Sequence, residues 1–92
     1  PVISYFFGIY VRMYHADHPP AHFHVEYQGH EAFVAIETGE VVEGKLPVKA
    51  ARIVKEWALE HQAELMLNWN KACNLEPLER MQELTMIKIV RA

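Results

Sequence analysis

The feature that most constrains this chain is an apolar stripe at helical spacing through its second half. Leu46, Ala50, Ile53, Val54, Trp57, His61, Leu65, Asn68 and Ala72 fall on one side of a helical wheel, and Arg52, Lys55, Glu56 and Gln62 lie opposite. One such stripe must be buried against another apolar surface. Pro47 suits a first helical turn, and Asn74 a C-terminal cap, so the pattern predicts one long helix over 47–72. A short helical turn is expected over 75–83.

The surface for that helix to cover comes from the first half. Residues 2–14 alternate as a strand: Ile3, Tyr5, Phe7, Ile9, Val11 and Met13 share one face, with Gly8 a place for a bulge. Residues 22–28 and 31–37 read as two more strands joined by Gln28-Gly29-His30. Thr38-Gly39-Glu40 turns the chain into a short fourth strand near Val41-Val42. The expected fold is α+β: a small antiparallel sheet of three or four strands on one long helix, plus a short C-terminal helix or strand. Residues 1–84 are expected to form the domain. Residues 85–92, with Met86-Ile87-Lys88-Ile89-Val90-Arg91 alternating, form a terminal strand or the start of a second unit.

A length of 92 residues excludes barrel enzymes and doubly wound sheets. No apolar run reaches the ~18 residues that cross a bilayer, so no membrane role is expected. The net charge is −3, not the basic excess of a sequence-independent nucleic-acid binder. The single cysteine, Cys73, excludes an internal disulfide and fits a reducing compartment, the cytoplasm. No presequence is visible, and Pro1 fits removal of an initiator Met.

Five of the six histidines lie between residues 15 and 30. Strand alternation puts His22, His24 and Glu26 on one face and Phe23, Val25 and Tyr27 on the other. Two imidazoles and a carboxylate suit a borderline cation such as Zn²⁺. His18, in the preceding Pro19-Pro20 loop, is placed to bend back as a further ligand. His61 lies in the helix stripe and is expected to face the sheet. The metal set read here is therefore His18, His22, His24 and Glu26. A second reading is general acid–base chemistry by His22, His24 and His61, with Arg12 for phosphate charge and Tyr14 for positioning. The plain alternatives stand beside these: His22 and His24 bonded to carbonyls or stacked on rings, His61 a satisfied core residue, His15 and His30 solvated, and Asp17 a turn residue capping backbone N–H groups. No hydrolase pattern is complete. Glu26 stands where histidine-triad hydrolases have a third histidine, and there is no P-loop, G-x-S-x-G or C-x-x-C.

The runs Ile3-Ser4-Tyr5-Phe6-Phe7-Gly8-Ile9, Arg12-Met13-Tyr14 and Asp17-His18-Pro19-Pro20-Ala21-His22-Phe23-His24-Val25-Glu26-Tyr27, with Glu56-Trp57-Ala58 and His61-Gln62-Ala63-Glu64-Leu65, resemble a bacterial family known as domain of unknown function number 4160. The tail Met86–Ala92 resembles the first strand of a second such family, number 2442. The resemblance implies genes that lie side by side or fused, in pairs like toxin–antitoxin modules. It strengthens His18, His22, His24 and His61 as site residues and supplies no reaction. Two functions follow as expectations. The first is an interaction component of a two-gene module, its partner a neighbouring gene's product or a second copy. The second is a small metal- or histidine-dependent hydrolase or nuclease acting on RNA.

Overall fold

The structure is a computed structural model and describes residues 1–81. Five strands, β1 (Val2–Phe6), β2 (Ile9–Arg12), β3 (His22–Tyr27), β4 (His30–Ala35) and β5 (Val41–Gly44), precede two helices, α1 (Val48–Glu60) and α2 (Gln62–Cys73). The strands form one antiparallel sheet in the order β1-β2-β3-β4-β5. The α+β class is as expected. The strand count and the single helix are not, and both differences have local causes.

The strand expected over 2–14 is a hairpin. Phe7 and Gly8 have φ of 53° and 76°, the left-handed pair that a two-residue hairpin turn requires, and Phe6 faces Ile9 across it. Such a turn shifts side-chain parity by one, so Phe6 goes inward while Tyr5 and Phe7 go out. An irregularity between Val2 and Ser4 shifts it again and buries Ile3. The expected face therefore holds at Ile3, Ile9, Val11 and Met13 only. The second hairpin repeats the turn with Gln28 and Gly29, at φ of 47° and 81°.

The expected single helix changes direction of its dihedrals at His61 (φ −117°, ψ 25°). Its hydrogen bonding runs through: His61 N donates to Trp57 O, and Leu65 N to His61 O. The Gln62 amide donates to the carbonyls of Ile36 and Glu37, tying the start of α2 to the chain leaving β4. The apolar stripe is buried as read, at Ala50, Val54, Trp57, Leu65 and Ala72. Trp57 is the centre of the core, with its ring 5.2 Å from Phe6 and 5.8 Å from Phe23.

The helical turn expected after residue 75 is absent through Met81. Leu75 takes φ of 59°, while Glu76 N donates to Lys71 O and Leu75 N to Ala72 O. This double bond pattern closes a helix and turns the chain away. The extended tail is then clamped. Asn68 Nδ2 donates to Glu79 O and Asn68 Oδ1 accepts from Glu79 N. Met81 N donates to Ile3 O on the outer edge of β1. The strand expected at 86–91 and the unit expected at 85–92 lie outside the described residues. Among the described residues, no helix is long and apolar enough to cross a membrane.

Candidate metal centre

The loop between β2 and β3 carries the site. It is anchored on α2: Ala16 N donates to Ala72 O, and His15 Nε2 to Glu76 O. Asp17 follows immediately, and its two carboxylate oxygens have different partners. Oδ1 accepts the backbone N–H of His18 at 2.9 Å. Oδ2 faces the start of β3, 3.0 Å from His22 Nε2 and 3.1 Å from His24 Nε2. The donor atoms of Asp17, His22 and His24 all lie within 4.8 Å of one another.

His22 is the informative member. Its Nδ1 is 2.8 Å from the carbonyl of Pro20, which can only accept, so Nδ1 carries the hydrogen. In the neutral ring Nε2 is then a bare lone pair. That nitrogen is buried and makes no hydrogen bond, although Asp17 Oδ2 is 3.0 Å away. In that tautomer two acceptors stand 3.0 Å apart, an arrangement relieved either by a proton on Nε2 or by a metal cation between them. Metal–ligand bonds of about 2.0–2.1 Å in a tetrahedral shell put donors about 3.3 Å apart, near the two separations observed.

The surroundings hold the rings in place. Phe33 lies 4.2 Å from the His24 ring and 5.4 Å from His22; Trp69 of α2 is 5.2 Å from His22. Tyr14 meets His24 edge-on at 4.6 Å. Burial acts to raise the Asp17 pKa. The His24 hydrogen bond, the His18 N–H and the charges of His22 and His24 outweigh it, holding the carboxyl below its ordinary value. The donor atoms brought together thus belong to two imidazoles and an ionised carboxylate. Three protein ligands with an open position are the pattern of catalytic zinc and of non-haem iron sites.

The other residues singled out in the sequence stand outside this donor set, although Arg12 faces His24 across the β2–β3 pair. Glu26 shares the face of His22 but is four residues along an extended strand, about 13 Å away. Its carboxylate pairs instead with Arg12 at 2.5 Å, and the Arg12 guanidinium sits 5.2 Å from the Tyr10 ring. His61 is buried among the helices, 5.4 Å from Trp57, with Nδ1 2.9 Å from Glu64. Phe23, which packs on that same tryptophan, points opposite to His22 and His24. His18 stands beside the centre, its side chain 86% exposed. Asp17 is the member that sequence reasoning read only as a turn residue. The available signal was a carboxylate just ahead of a Pro-Pro loop leading into H-x-H.

Comparison with known proteins adds one finding. Residues 8–70 match the family described as Domain of unknown function (DUF4160). The chain belongs to that family. The match takes in the centre, the four strands β2 to β5, all of α1 and most of α2. No curated protein and no solved structure matches the chain. The family's description carries no activity, so function rests on the geometry.

Proposed function

We propose that this domain binds a divalent transition metal through Asp17, His22 and His24, and that the centre supports metal-assisted hydrolysis. The observation that carries the reading is the buried His22 Nε2, which makes no hydrogen bond and stands 3.0 Å from the Asp17 carboxylate while Nδ1 is taken up by the Pro20 carbonyl. A metal bound there supplies a Lewis acid and an activated water. The chain's own contribution is to fix the His22 tautomer, hold Asp17 ionised, and wall the imidazoles with Phe33, Trp69 and Tyr14. The register puts Glu26, Glu31 and Glu43 on the face that carries His22 and His24, and Arg12 there is paired with Glu26.

The test is calorimetric titration of the full chain with Zn²⁺. One equivalent is expected to bind with proton release, since the histidines must be neutral to ligate. Asp17→Asn and His22→Ala should abolish stoichiometric binding, while Glu26→Gln and His61→Ala keep it. Absence of binding by the unmodified chain would end the reading.

A role as one component of a bacterial, cytoplasmic two-gene module, toxin–antitoxin-like, has a separate support. β1 and β5 are the outer strands of the sheet, and the β1 edge already accepts a chain segment at Met81. Edges of this kind accept an added strand from a partner or a second copy. Co-purification with the neighbouring gene's product tests it, and a monomer that ignores that product counts against it.

A further inference from the structure

His18 stands beside two members of the donor set, Asp17 and His22. Its backbone N–H is held by Asp17 Oδ1, and its Nδ1 lies 3.3 Å from that same oxygen. Its ring centroid is 6.0 Å from that of His22. The ring is outside the three-residue donor set, yet little packing confines it, since 86% of the side chain is exposed. With Pro19, Pro20, Phe33, Val42 and Glu43 it borders a pocket of about 100 Å³ that reaches His22. The ring is free to rotate, and the backbone bond to Oδ1 does not depend on where the ring points.

We infer that His18 is an exchangeable fourth ligand, a step that rests on metal binding by Asp17, His22 and His24. With no other donor present, it completes a closed four-coordinate shell. A small monodentate donor with a short apolar body, sized to the pocket and matched to its proline and phenylalanine walls, displaces it. The exchange makes and breaks only metal–donor bonds. The resting centre is thereby protected from adventitious donors, and opening is coupled to occupancy of the pocket.

The experiment uses the full chain loaded with Co²⁺, whose visible absorption reports coordination, and compares it with His18→Ala. Because His18 is exposed, the metal-free variant should melt where the parent does. Expected results are a shifted spectrum in the variant, Co²⁺ affinity lowered at least about tenfold, and recovery of the parental spectrum on adding imidazole. Azide should alter both spectra, at lower concentration in the variant. Identical spectra and affinities would overturn the inference while leaving the three-residue centre standing. Azide acting on the variant but never on the parent would show a fixed ligand and overturn the exchange. Failure of the parent to bind one Co²⁺ would remove the centre itself and the inference with it.

Discussion

Asp17 divides its work between two oxygens, one closing the loop and one facing the imidazoles. Its substitution by Asn keeps the size and the cap but removes the charge. Metal affinity should fall by more than the roughly 10–100-fold that loss of a mere supporting partner causes, measured by competition with a chromophoric chelator. The same residue makes a prediction for the metal-free protein. Its folded-state pKa is lowered, so its stabilisation is complete above the unfolded value of about 3.9 and is lost as pH falls through the folded value. Urea midpoints should therefore drop on acidification below about pH 4 in the parent, and less in Asp17→Asn. Asp17 was legible in the sequence only as a turn residue, because nothing local says which way its second oxygen points. His22 and His24 were legible, since alternation along a strand is a local property. Glu26 obeyed the same alternation but lies too far along the strand to converge, a matter of distance that parity does not report.

At the scale of elements, turns and caps decide more than propensity does. Gly44 has φ of 83°, and a Cβ there would stand 2.3 Å from the carbonyl oxygen of Glu31 and 2.9 Å from Ala32 Cα. Gly44→Ala must separate β5 from β4, at about 2–4 kcal/mol in chemical denaturation, with metal affinity unchanged. Leu75 is the opposite case. It holds the left-handed position that ends α2 while 70% exposed, so its side chain offers little packing in return. Leu75→Gly should stabilise the domain by about 1 kcal/mol, read as a higher urea midpoint. Both hairpins depend on a two-residue left-handed turn, yet only the second is legible in the sequence, as Gln28-Gly29-His30, of which His30 in fact pairs with Tyr27 in the ladder. It interrupts two polar-flanked runs, whereas Phe7-Gly8 sits inside continuous apolar sequence whose alternation carries on through it. The break at His61 was hidden for a similar reason. The apolar stripe continues across it, and the Gln62 bonds to Ile36 and Glu37 join residues about 25 positions apart.

Over the whole molecule, the centre ties separate parts of the chain together. The loop bearing Asp17 is fastened to the end of α2, whose Trp69 packs on His22. Metal binding should therefore stabilise the domain globally: at one hundred times its Kd, Zn²⁺ adds about 2.7 kcal/mol. For a chain of this size that raises Tm by roughly 10–20 °C, reversed by chelator and absent in His22→Ala. Sequence alone determined the α+β class, the buried stripe from Ala50 to Ala72, the β3–β4 hairpin and the H-x-H pair, all of which follow from periodicity and local turn chemistry. Tertiary structure decided the rest. It folded the first strand back on itself, set His61 against Trp57 rather than beside His22, gave Arg12 to Glu26, and brought Asp17 over the two imidazoles. Each of these depends on where the chain returns after a loop, and periodicity within one element carries no information about which distant element will be its neighbour.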